Sequence, residues 1–279
     1  MIKEAKCLIF DLDGTLYEDT HHFEFYANLL KKELTSEKQN DFKKDYLEIM
    51  AGEHPLTIGK AYDRIHDQIL SIDPYTDRVV AVHEWNGEQW EDEKVLERYN
   101  KPVTYDFEKV IAIGDGWWLP FSVANHYGLS LEKCYQCYML TKEFMVSEQF
   151  VLTKTPGLKA SMEKWKKEKW LVLVTNSELY DVNNLLRELE LENIFDQVIS
   201  SAKKPTLTKK HYGDILLAYE LFPEEVISIG DNFINEVAPA LTKNMKAILI
   251  QPNAVTYNHP NLKVVPSFRN VLRPETLTK

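Results

Sequence analysis

Cysteine is scarce in this chain of 279 residues, and basic charge is outweighed by acidic. Three cysteines, an odd and low number, give no disulfide framework to build on and point to a reducing compartment. Lys and Arg total 33 against 43 Asp and Glu, a formal net charge of -10. That balance argues against a broad nucleic-acid surface, because phosphate backbones are held by clustered cations. A single small phosphate is still within reach, since one Lys and one metal ion suffice locally. No apolar run approaches the length of a bilayer span. The opening run Cys7-Leu8-Ile9-Phe10 is too short for a signal-peptide core and ends in carboxylates. No repeat recurs at solenoid spacing, and no segment is low in complexity. The expectation is a cytoplasmic globular protein of one large or two ordinary domains, without a membrane partner. Nothing points to a particular oligomeric state.

What is present is a change of rhythm. Ala5 to Phe10 reads as a short buried strand, closed by an Asp-Leu-Asp-Gly turn. Apolar-rich helical patterns follow over His22–Leu30 and from Ser36 to about Met50, with Ala61–Leu70 as a third candidate. Arg78–Trp85 is β-branched and alternating, and Asn86-Gly87 then signals a hairpin toward Gln89-Trp90. Val103–Tyr105 and Val110–Ile113 are further candidate strands, and Leu119–Tyr127 and Leu131–Met145 candidate helices. From Thr155 onward strand and helix alternate: strands at Trp170–Val174, Val198-Ile199, Val226–Ile229 and Ala247–Ile250, and helices at Asp181–Leu189, Tyr212–Leu221 and Glu236–Leu241. Alternation of this kind predicts a parallel sheet covered by helices. The first strand would complete that sheet. The fold class is α/β: a Rossmann-like core of 1–17 and 152–279, with 18–151 inserted as a mainly helical domain holding a small hairpin or sheet.

Each core strand ends in a polar cluster, and ligands of open parallel sheets bind at the carboxyl ends of the strands. The first ends in Asp11 and Asp13, the second in Thr175-Asn176-Ser177. After the third comes Lys203-Lys204-Pro205, and the fourth ends in Gly230-Asp231-Asn232, with Glu236 farther along. Convergence of these clusters suits phosphoryl transfer. Asp11 would attack phosphorus and form an aspartyl-phosphate. Mg²⁺ would neutralise charge, with Asp11, Asp231 and the backbone carbonyl of Asp13 as ligands. Asp13 would protonate the leaving oxygen and then activate water. Thr175 and the backbone amide of Asn176 would hold phosphate oxygens, and a lysine would offset the remaining charge.

Asp-Leu-Asp-Gly-Thr-Leu, Leu-Val-Thr-Asn-Ser, Lys-Pro and Ile-Gly-Asp-Asn, in this order, resemble the motif set of the haloacid dehalogenase-like hydrolase superfamily. The resemblance covers residues 1 to about 17 and about 152 to 279. It implies a Rossmann-like catalytic core, an inserted cap that selects the substrate, and Lys204, the lysine preceding proline, as the catalytic lysine in place of Lys203. It also places Asn232 and Glu236 behind the metal ligands. Two features depart from the family: Glu236 stands where Asp is usual, and the cap carries a hairpin signal where a helical bundle is common. The implied function is a Mg²⁺-dependent phosphatase acting on a small phosphorylated metabolite. Alternatives are a phosphomutase with the same intermediate, or a weakly catalytic protein that binds a phospholigand or partner. A dehalogenase fits less well, because it has no need of an acid at Asp13.

Other features have plainer readings. Gly114-Asp115-Gly116 resembles a strand-end cluster but has no matching lysine, and reads as a loop. Cys134 and Cys137 have metal or redox spacing but no second pair, and read as packing. His21 and His22 read as a solvated helix start, and Trp85, Trp90, Trp117 and Trp118 as packing of the inserted domain. Lys164–Lys169 reads as the solvated face of a helix.

Overall fold

The computed structural model describes residues 1–251 and 258–272. Two stretches of the expected core, 252–257 and 273–279, lie outside the described residues. In chain order the first strand is β1 (Cys7–Phe10). The chain then forms α1 (His21–Glu33), α2 (Ser36–Ala51), β2 (Ala61–Asp63), β3 (Gln68–Asp73), β4 (Arg78–Glu84), α3 (Asp92–Arg98), β5 (Val110–Ala112), α4 (Trp118–His126) and α5 (Leu131–Met145). There follow α6 (Leu158–Lys166), β6 (Trp170–Val174), α7 (Leu179–Glu188), β7 (Gln197–Ile199), α8 (Thr208–Ala218), β8 (Val226–Gly230), α9 (Ala238–Thr242), β9 (Lys246–Ile250), β10 (Leu262–Val265) and α10 (Phe268–Leu272). Two compact units result, Met1–Asp19 with Val151–Lys279, and Thr20–Phe150. No helix among the described residues is long and apolar enough to cross a membrane.

The first unit is built on a six-stranded sheet in the order β10-β9-β8-β1-β6-β7, with every pairing parallel. Cys7, Leu8, Ile9 and Phe10 are all buried, as are the five residues of β8. Strands covered on both faces need continuous apolar runs, which is why these segments do not alternate. Successive strands from β1 run through β6 to β7, and the chain then returns to place β8 on the other side of β1. The crevice between β1 and β8 is therefore the switch point at which such sheets bind ligands. Ile9 lies level with Val172 on β6 and Ser228 on β8, so the three strand ends reach the same height.

The second unit combines five helices with an antiparallel sheet in the order β4-β3-β2-β5. Residues 61–70 are not helical: β2 and β3 form a hairpin there. The Asp63 carboxylate accepts the backbone N–H groups of Ile65 and His66 at 3.1 Å, and Asp67 takes φ 56°. This side-chain turn competes with a helix and overrides the helical spacing of Ala61, Ile65 and Ile69. Asn86-Gly87 does turn the chain, with Gly87 at φ 91°, but the returning arm is a single bridge from His83 to Gln89. Val103–Tyr105 forms no strand. His22 is buried against Phe23, Trp117 and Phe150 and is not a solvated helix start.

Candidate active site

Asp11 follows β1 directly, and its N–H donates to the Ile229 carbonyl of β8 at 3.0 Å. Its carboxylate is buried. Lys204 Nζ donates to Asp11 Oδ1 at 2.6 Å and to Glu236 Oε1 at 2.6 Å, and the lysine side chain is 2% exposed. Burial pushes Asp11 above the usual carboxylate range, Lys204 opposes it, and Asp13 adds to it. Glu236 is also raised by burial, against the pull of Lys204. For Lys204, burial favours the neutral amine, but the Asp11 and Glu236 carboxylates outweigh it and hold the ammonium above its ordinary value. An ion triad this dry demands full pairing, since either carboxylate alone would be a buried, uncompensated charge.

Lys204 is held by its backbone as well. Asn176 Oδ1 accepts the Lys204 N–H at 2.7 Å, and Asn176 Nδ2 donates to the Lys204 carbonyl at 3.1 Å. The loop after β6 thus fixes the lysine loop in register. Lys203, by contrast, is exposed. Thr175 is buried, and its Oγ1 accepts the Ser177 N–H at 3.1 Å.

Asp13 is tied down through both oxygens. Tyr17 OH donates to Oδ1 at 2.5 Å and Ser177 Oγ to Oδ2 at 2.8 Å. Sequence reasoning missed both donors. Ser177 was at hand beside Thr175 and Asn176, whereas Tyr17 carried no signal beyond its nearness to Asp13.

The fourth cluster arrives through a turn of π-helix over Phe233–Val237, a form often found at functional sites. Asn232 Oδ1 caps it, accepting the N–H groups of Ile234 and Asn235 at 2.9 and 3.1 Å. The extra residue in the turn swings Glu236 back over Gly230, where an added Cβ would meet Glu236 Cγ at 2.7 Å. Glu236 Oε2 accepts the Asn232 N–H at 3.1 Å while Oε1 faces Lys204. Glu236 thus joins the Asn232 backbone to the Lys204 ammonium. Tyr212 backs the turn, with its hydroxyl 2.7 Å from Ser228 Oγ.

Asp231 lies against the first turn. Gly14 sits at φ 74°, and a Cβ there would fall 2.2 Å from Asp231 Oδ2. Only glycine leaves room for that carboxylate beside the Asp11–Gly14 turn. Among the described residues no group of three or more His, Cys, Asp and Glu side chains is set to hold a metal. The oxygen donors that the sequence proposes are of another kind: the Asp11 and Asp231 carboxylates and the Asp13 backbone carbonyl. Mg²⁺ characteristically binds through one or two carboxylates and keeps several waters, so hard oxygen donors in this number fit it.

No protein-family model matches the sequence, and no curated protein matches it. Solved structures do resemble it. One, from Bacillus subtilis, is YfnB, described as a HAD-hydrolase and bound to magnesium; it superposes with a TM-score of 0.53 at 12% identity, covering 96% of this chain and 97% of that one. Another, described as a haloacid dehalogenase-like hydrolase from Bacteroides fragilis, gives 0.52 at 12% identity over 96% of this chain and 100% of that one. At such identities the likeness is one of fold, and the fold of this chain is that of the haloacid dehalogenase-like hydrolases.

Proposed function

We propose that this chain is a Mg²⁺-dependent phosphatase that hydrolyses a small phosphorylated metabolite through an aspartyl-phosphate on Asp11. The observation that carries the reading is the Asp11–Lys204 pair at 2.6 Å, at the end of the central strand. The pair sets a carboxylate and a fixed cation where a phosphate would enter, at the switch point beside β8. Attack by Asp11 forms an Oδ–P bond as the ester P–O bond breaks. Asp13 gives its proton to the departing oxygen. Water then attacks phosphorus, Asp13 takes the proton back, and the Oδ–P bond breaks to release inorganic phosphate.

Lys204 holds Asp11 in place and offsets the charge brought by the phosphate. Glu236 keeps Lys204 from collapsing wholly onto Asp11. Thr175 and the backbone amide of Asn176 follow the end of β6, a position that suits the nonbridging oxygens. Mg²⁺ bound to Asp11, Asp231 and the Asp13 carbonyl would supply the remaining charge neutralisation. An acid at Asp13 distinguishes this set from one made for dehalogenation, which releases halide and needs no proton donor there. The expected partner is a small phosphorylated molecule in the cytoplasm, and neither nucleic acid nor membrane. Hydrolysis of p-nitrophenyl phosphate by the purified chain, with and without Mg²⁺, tests the reading; activity indifferent to a chelator contradicts it.

A further inference from the structure

Asp13 is held through both of its carboxyl oxygens, from two different segments of the chain. Tyr17 is fully buried, so its hydroxyl cannot wander. Its backbone is bridged to that of Asp13, and its OH reaches Asp13 Oδ1 at 2.5 Å. Ser177 is pinned from two sides: its N–H donates to Thr175 Oγ1 at 3.1 Å, and its carbonyl accepts the Ser201 N–H at 2.9 Å. From there Ser177 Oγ reaches Asp13 Oδ2 at 2.8 Å. The loop that carries Thr175 and Asn176 therefore also sets the angle of the Asp13 carboxyl.

We propose that Tyr17 and Ser177 are positioning residues that hold the Asp13 carboxyl toward the leaving-group oxygen. The inference rests on the phosphatase reading, with Asp13 as its acid. In the first step the ester P–O bond breaks while the Asp11 Oδ–P bond forms, and the Asp13 proton passes to the departing oxygen. Good leaving groups depart without that proton, and poor ones do not. A held acid thus flattens the dependence of rate on leaving-group basicity, and loosening it restores the dependence. A side chain that merely stabilises the fold would lower all rates alike.

The experiment uses the full chain with Mg²⁺ and a series of substituted phenyl phosphates, from dinitrophenyl to unsubstituted phenyl. The quantity read is kcat/KM, which reports the first phosphoryl transfer and not the later hydrolysis of the intermediate. The variants are Tyr17→Phe, which keeps the buried ring and removes the hydroxyl, and Ser177→Ala. Positioned acid catalysis is worth about 10²- to 10⁴-fold, so partial loss of aim should cost phenyl phosphate about tenfold or more beyond the loss seen with dinitrophenyl phosphate. The slope of log kcat/KM against leaving-group pKa steepens accordingly. Should Tyr17→Phe fail to fold, Ser177→Ala carries the test. Equal losses across the series, no loss, or a gain with the poorest leaving group overturns the inference. Failure of the phosphatase reading shows separately, as absence of Asp11-dependent hydrolysis in the unaltered chain.

Discussion

Lys204 Nζ stands 2.6 Å from Glu236 Oε1 while also donating to Asp11 Oδ1 at 2.6 Å, so one buried ammonium serves two carboxylates. Lys204→Met would leave Asp11 and Glu236 buried with nothing between them. Breaking a buried pair in this way costs about 3–5 kcal/mol. The urea midpoint should fall with little change in slope, and hydrolysis should be lost. Lys204→Met with Glu236→Gln removes one of the stranded charges and should recover part of the stability but none of the activity. A wild-type midpoint for Lys204→Met alone would contradict the triad.

Asn176 tests the link between the second and third strand ends. Asn176→Ala removes both hydrogen bonds to the Lys204 backbone, at 2.7 and 3.1 Å. Leaving such groups without partners costs about 1–3 kcal/mol. Lys204 should then be less well aimed, and kcat should fall even at saturating substrate. Differential scanning calorimetry and steady-state kinetics check the two effects, and a variant with unaltered kcat would show that Lys204 keeps its place unaided.

Gly14→Ala combines a left-handed backbone with a collision, since the new Cβ would lie 2.2 Å from Asp231 Oδ2. The backbone term alone is worth about 1–2 kcal/mol. The larger effect expected is displacement of Asp231, read as a higher Mg²⁺ concentration for half-maximal activity. An unchanged Mg²⁺ requirement would argue that Asp231 takes no part in holding the ion.

In the second unit, burial lowers His54 below its ordinary value of 6.5, while the Asp45 and Glu48 carboxylates pull the other way. Its Nδ1 accepts the Leu56 N–H at 3.0 Å. The folded state therefore binds this proton less readily than the unfolded chain. By linkage the contribution of His54 is full above pH 6.5 and is lost as pH falls through that value toward the lower folded one. His54→Asn supplies a similar acceptor to Leu56 without the titration. The drop in melting temperature between pH 7.5 and 5.5 should be smaller in this variant than in the unaltered chain.

Much of the first unit was legible because buried parallel strands announce themselves as unbroken apolar runs. Trp170–Val174 and Val226–Ile229 needed no tertiary information, and the polar residues at their ends follow from topology. The inserted sheet was not legible in the same way. Ala61, Ile65 and Ile69 satisfy helical spacing, and the Asp63 side-chain turn together with pairing to β4 and β5 decides otherwise. The strand Leu262–Val265 and the helix Phe268–Leu272 are short and pack late in the chain, with too few residues to show a period. Within the site, the strand-end clusters could be named, but their cross-links could not. The hold of Asn176 on Lys204 and of Ser177 on Asp13 joins residues 28 and 164 positions apart, distances over which one sequence carries no pairing signal. Glu236 is the plainest case: its role depends on a π turn that swings it to the lysine, and composition does not foretell such a turn.

Asp11 as the nucleophile comes down to one comparison. Mg²⁺-supported hydrolysis of p-nitrophenyl phosphate is measured for the unaltered chain and for Asp11→Asn, with folding of both verified by circular dichroism. Hydrolysis should stop on chelation and fall by at least about 10³-fold in Asp11→Asn, because the amide cannot form the covalent intermediate. Hydrolysis that survives Asp11→Asn at a comparable rate would contradict this role of Asp11.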